Sequence, residues 1–242
     1  MTVGRLPVRT LVAIVGLLGL GLLFAWLGVW QLQRGAASRD TAARFAAGAA
    51  EAVLPELPPT LGAAERFRRL EVSGRYVAEP QFLLDNRLHD GVAGYEVLTP
   101  FQVSSSPQWL LVNRGWLPAG VDRAVLPAVG VGTAEGSVLG RLERLPRPGL
   151  RLGKAMAEGV AAAVSVVQYP TAAQLAGKLG QPLFDYQLLL DPAEPEGFVR
   201  DWRAPGVGTE RHLSYAGQWL LLAAGALGAA VTILIKSLRR GL

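Results

Sequence analysis

The stretch RHLSYAGQWLLLAAGALGAAVTILI, Arg211 to Ile235, decides how this chain is read. No charge falls between Leu213 and Ile235, and at about 1.5 Å per residue the run crosses a bilayer's roughly 30 Å hydrocarbon core as a helix. Its first turns carry more than an anchor needs. His212, Tyr215, Ala216, Trp219 and Ala223 recur at helical spacing and share a stripe. A neutral imidazole there has a lone pair to offer a metal, beside two amphipathic rings. The same ring types are ordinary residents of the headgroup boundary, so both readings stay open at this point. The small residues Ala223, Ala224, Gly225, Ala226, Gly228, Ala229 and Ala230 permit close approach of another helix, and a packing partner is expected.

That partner is expected at the other end of the chain. Thr10 to Leu32 is again uncharged, too long for the apolar core of a cleaved secretory signal, and closes with Trp26 and Trp30 as an interfacial belt. It reads as an uncleaved signal anchor, although the small residues Gly35, Ala36 and Ala37 resemble a cleavage site. Gly21 and Ala25, four apart, offer a seat for the small face of the second helix. Two spans put both termini on one side, and Arg5, Arg9, Lys236, Arg239 and Arg240 assign that side to the cytoplasm. The 24 Lys+Arg and 19 Asp+Glu leave a net charge of +5, which these five flanking residues account for. The excess therefore orients the chain rather than marking a phosphate-binding face, and nucleic-acid binding is set aside. Without Cys there is no disulfide, thiolate metal site or covalent c-type haem attachment.

Between the spans, Asp40 to Val53 reads as a short Ala-rich helix and Leu54 to Thr60, LPELPPT, as a stiff extended linker. From Phe67 the pattern alternates. Leu70, Val72, Gly74 and Tyr76 share one strand face, and Tyr95, Val97, Thr99, Phe101 and Val103 another. Gln108 to Trp116 completes a hairpin through the Ser104 to Pro107 turn. Further strands are expected at Gly136 to Leu145, Val164 to Tyr169 and Tyr186 to Leu190. One helix is expected at Thr171 to Leu179, stopped by Gly180. The segments 146–159 and 203–210 read as loops. The expected class is a membrane protein of α+β type, with two transmembrane helices flanking a predominantly antiparallel β periplasmic domain with minor helix. Its boundaries are a cytoplasmic tail over 1–9, a span over 10–32, helix and Pro-rich linker over 33–60, the β-rich domain over 61–211, a span over 212–235 and a basic tail over 236–242.

Enzyme signatures are missing: there is no GxSxG, HExxH or P-loop, and Gly130, Gly132 and Gly136 lack the preceding strand a nucleotide site needs. His89, between Asp85 and Asp90, reads as a polar turn residue before Gly91. The run VNRGWLP, Val112 to Pro118, sets Arg114 between Asn113 and Gly115 beside Trp116. It is either an exposed donor fork at a strand end or a strand terminus with an interior salt bridge. No acid-base pair accompanies it, and a non-enzymatic role is expected.

LGVWQLQR at Leu27 to Arg34, SGRY at Ser73 to Tyr76, GYEVLTPF at Gly94 to Phe101, LVNRGWLP at Leu111 to Pro118 and HLSYAGQW at His212 to Trp219 are collinear. In these motifs the chain resembles the Surfeit locus protein 1 family over essentially its whole length, in a bacterial form. One departure is that Gly35 and Ala36 stand where that family often has Trp-Lys. The resemblance implies an assembly factor for cytochrome c oxidase in the bacterial inner membrane, two-pass, with its domain on the periplasmic side. It implies transient haem a with His212 as axial iron ligand, and cytochrome c oxidase subunit I, with haem a synthase beside it, as partners. Under that reading Tyr215 and Trp219 line the haem and Arg34 and Arg211 meet its propionates. Gly94, Tyr95, Asn113, Arg114, Gly115 and Trp116 form a partner-facing or structural motif. The alternative is a scaffold that holds subunit I or the synthase without touching haem.

Overall fold

The computed structural model describes residues 7–146 and 163–240. Arg5 and all of the 146–159 loop except its first residue lie outside them. The chain forms two units, one of Met1–Ala43 with Ala204–Leu242 and one of Arg44–Arg203.

The first unit is helical. α1 (Val8–Ala50) is one uninterrupted helix, and α3 (Thr209–Arg240) continues beyond Ile235 through Lys236. The expected separation of a span ending at Leu32 from a second short helix does not occur. The apolar run ends there, but Gln33 to Ala50 is rich in Ala and Arg and contains no Pro, so nothing interrupts the hydrogen-bond ladder. Both helices are long and apolar enough to cross a membrane.

The second unit is built on β1 (Arg69–Tyr76), β2 (Gln81–His89), β3 (Val92–Val103), β4 (Trp109–Pro118), β5 (Gly136–Arg144), β6 (Val164–Val167) and β7 (Leu183–Leu190). The sheet runs β1-β5-β7-β4-β3-β2-β6, and β1 pairs again with β3 through Gly74↔Val103 and Tyr76↔Phe101. The second pairing closes β1, β5, β7, β4 and β3 into a five-stranded barrel, with β2 and β6 as a flap beyond it. The ladders are antiparallel except β4–β7 and β2–β6. Alternate residues fill the barrel: Leu70, Val72, Phe101, Leu110, Val112, Leu142, Tyr186, Leu188 and Leu190. Each such buried apolar side chain contributes roughly 1.5–3 kcal/mol relative to an exposed one. Tyr186 also donates to Pro58 O at 2.5 Å, which pins the Pro-rich linker.

The strand β2 lies in a stretch that shows no alternation in sequence. Its first four residues, Gln81 to Leu84, are all buried, because β2 is covered on both faces. His89 ends this strand, and the turn begins at Asp90. α2 (Ala172–Leu179) covers Phe82, Leu98 and Leu111 with Leu175. Thr171 caps it reciprocally with Gln174, and Gly180 closes it in the left-handed region at φ 64°.

Candidate functional site

In the helical unit the contact is a heptad seam. On α1 the buried and half-buried positions include Ile14, Leu17, Gly21, Phe24, Gly28, Gln31, Gly35 and Ser38, a series alternately three and four apart. On α3 the same rhythm gives Thr209, His212, Ala216, Trp219, Ala223, Ala226, Ala230 and Ile233. A repeat of seven keeps one stripe facing a partner along a left-handed pair. Glycines take the closest layers. A Cβ on Gly21 would lie 2.8 Å from Leu227 Cδ2, and one on Gly28 would lie 2.8 Å from Leu220 Cδ2. Gly21 thus seats α3 as expected, Ala25 four residues on is half-buried, and Gly28 and Gly35 repeat the glycine layer at intervals of seven.

Between the glycine layers, side chains meet across the seam. Phe24 stacks on Trp219 at 5.6 Å between ring centroids. One heptad along, His212 Nδ1 lies 2.9 Å from Gln31 Oε1. An amide oxygen only accepts, so this contact puts the proton on Nδ1, and a neutral ring then carries its lone pair on Nε2. Nε2 has no hydrogen-bond partner among the described residues. A Cβ on Gly35 would stand 3.3 Å from His212 Cβ, so the missing side chain gives the imidazole its place.

The other residues named from sequence fall around this pair unevenly. Tyr215 is 47% exposed and points off the seam, while Trp219 is engaged with Phe24 rather than with His212. Arg34 and Arg211 are both exposed, adjoining Gly35 and His212 in sequence, so two cations stand at the imidazole's level. Arg34 also lies over the Trp30 ring at 5.6 Å. Sequence reasoning did not single out Gln31. The seven-residue spacing of Gly21, Gly28 and Gly35 was the signal that could have placed it on the seam.

In the barrel unit, the VNRGWLP run forms a β-bulge. Trp116 pairs with Glu96 and Asn113 with Leu98, so Arg114 and Gly115 together oppose Val97. Gly115 has φ 108°, and a Cβ there would lie 2.5 Å from Val199 O. The bulge turns Arg114 inward, where it is 2% exposed. Its guanidinium donates to Glu196 O at 2.5 Å, Val129 O at 2.8 Å, Gly130 O at 3.0 Å and Gln81 Oε1 at 3.3 Å. The Glu196 carboxylate stands 3.6 Å away. The exposed-fork alternative is therefore corrected, and the interior pairing is chiefly to backbone carbonyls. Burial lowers the Arg114 pKa, opposed by Tyr76 and then Glu196. Asn113, fully buried, donates to Glu96 at 2.7 Å and accepts from Gly115 N. Trp116 donates to Arg87 O at 3.0 Å and lies 5.1 Å from the His89 ring. Gly94 makes room for it, since a Cβ there would sit 2.5 Å from the indole nitrogen. Tyr95 is buried beside Leu83 and Leu117. The six motif residues thus build one bulge and its supports.

Two apolar helices of spanning length joined through a heptad seam, with a β-barrel unit between them in sequence, fit a two-pass membrane protein. The SURF1 family matches residues 18–224, which take in most of the first helix, the whole barrel and the first half of the last helix, and the chain belongs to that family. It is 30% identical over 135 residues to a SURF1-like protein of Monosiga brevicollis, a match covering 51% of this chain and 50% of that protein. The chain thus spans about half the length of that curated relative.

Proposed function

We propose that this chain is an assembly factor for cytochrome c oxidase that holds haem a transiently at the His212 end of the helix pair and aids its delivery to oxidase subunit I. Membership of the SURF1 family supports the assembly role. The observation that carries the cargo is the His212 geometry, one ring nitrogen engaged by Gln31 and the other unpartnered among the described residues. The donor set fits a haem iron, since one neutral imidazole supplies one axial ligand and Arg34 and Arg211 supply propionate partners at the same level. A site of one protein ligand on a two-helix unit suits release better than retention, as a carrier requires. The work is binding and handover without turnover, in a bacterial inner membrane with the barrel on the periplasmic side. Haem a synthase is a natural second partner, as the source of the cargo.

The test uses the full-length protein purified in detergent from cells that make haem a. The wild type should carry a haem spectrum, and His212→Ala should lose or reshape it while remaining membrane-inserted. Equal haem affinity in both proteins would remove His212 from the site. A second reading has one observation in its favour: the Gln31–His212 contact also serves as a polar clamp between the helices without any cargo. Under that scaffold reading, neither protein carries haem and oxidase levels hardly respond to His212→Ala.

A further inference from the structure

We infer that Gln31 is the positioning residue for His212: its side-chain oxygen holds the imidazole in the Nδ1–H form and aims Nε2 away from the seam as the iron-binding atom. This rests on the haem reading above and extends it to a residue that contacts no cargo.

Four features support the assignment. Gln31 and His212 occupy facing layers of the same heptad seam as the Phe24–Trp219 stack, so the backbone of both helices fixes where the two side chains meet. The contact, at 2.9 Å, is of ordinary hydrogen-bond length. Gly35, one turn further along α1, lets the two helices approach closely at this layer, since a Cβ there would stand 3.3 Å from His212 Cβ. The residues of α1 and α3 that face this pair on the seam, Gly28, Gly35, Ser38, Thr209 and Ala216, carry no charge and offer no stronger acceptor to Nδ1. An imidazole that binds a metal through one nitrogen gains basicity and a fixed orientation when its other N–H is held by an acceptor, and loss of that acceptor typically costs 10–100-fold in affinity. Gln supplies the acceptor without adding a charge inside a membrane-spanning pair.

The experiment compares wild type, Gln31→Leu, Gln31→Glu and His212→Ala, each as full-length protein in detergent, made without haem a. Extracted haem a is the probe. Three readouts apply: affinity from Soret titration, the iron–histidine stretching frequency of the ferrous complex, and the ¹⁵N shifts of the cargo-free protein. The chain has only two histidines, so the His212 tautomer can be assigned against His89. The expected result is an Nδ1–H tautomer in the wild type. Gln31→Leu should lose about 10-fold or more in affinity, lower the stretching frequency and mix the tautomers. Gln31→Glu, a stronger acceptor of nearly the same size, should keep the affinity and raise the frequency. It also provides a folded variant if the Leu protein fails to insert. Unchanged frequency and tautomer in both Gln31 variants, with haem lost in His212→Ala, would overturn the role of Gln31 and leave the haem reading standing. Wild-type affinity in His212→Ala would overturn both.

Discussion

Replacing Arg114 with Met removes the group on which two irregular segments of the barrel unit converge. Its donors reach Val129 O and Gly130 O in one segment and Glu196 O in the other, and it is 2% exposed. Hydrogen bonds to a charged group contribute roughly 1.5–3 kcal/mol each. Each carbonyl left without its donor costs about 1–3 kcal/mol, and because both segments can move toward water a net cost of about 3–5 kcal/mol is expected for the three. Glu196→Ala is the control, since it removes the carboxylate at 3.6 Å, which is 44% exposed, and leaves the backbone carbonyl in place. That change should cost about 0.2–1 kcal/mol. Urea unfolding of the full-length protein in detergent measures both, and hydrogen exchange should show faster opening around Val129 and Glu196 in Arg114→Met. A cost below about 1 kcal/mol for Arg114→Met, or an equal cost for Glu196→Ala, would refute the view that Arg114 acts by collecting carbonyls.

The helix seam, the barrel interior and the orientation can each be tested. Gly28→Leu should separate α1 from α3, because even a Cβ would sit 2.8 Å from Leu220 Cδ2. With no native Cys, oxidative cross-linking of a Phe24→Cys, Trp219→Cys pair reports it, and undiminished cross-linking in Gly28→Leu would count against the seam. The Tyr76 hydroxyl is buried without a partner among the described residues, and burial lifts its pKa from 10.0 to about 12. Because the folded value is the higher one, the stability held by the neutral hydroxyl is complete below pH 10 and falls by about 2–3 kcal/mol as pH rises through 12. Tyr76→Phe should remove that part of the alkaline loss and cost little at pH 7, and a large loss at pH 7 would mean that the hydroxyl is bonded after all. Reporter fusions after Arg203 and after Leu242 should report opposite sides of the membrane, and the same side for both would exclude a two-pass topology.

What the sequence determined by itself was whatever one segment decides locally. An uncharged apolar run must bury its backbone polar groups within a helix, so both spans were readable from composition and length alone. Alternating strands such as Arg69–Tyr76, and the Thr171 to Gly180 helix with its own caps, were readable because period and capping chemistry are short-range. The SURF1 membership was also legible, since it lay in collinear motifs. The tertiary structure decided whatever depends on a partner far along the chain. The β2 strand was hidden because burial on both faces erases alternation. Closure of the barrel rests on β1 meeting both β5 and β3, which no single strand encodes. Arg114 could be noticed in VNRGWLP, but only the bulge opposite Val97 turns it inward, onto carbonyls of residues far from it in sequence. His212 could be picked out for its chemistry, yet its partner Gln31 lies 181 residues away. The heptad on each helix specifies a face, and only the antiparallel pairing of the two faces brings that amide to the imidazole.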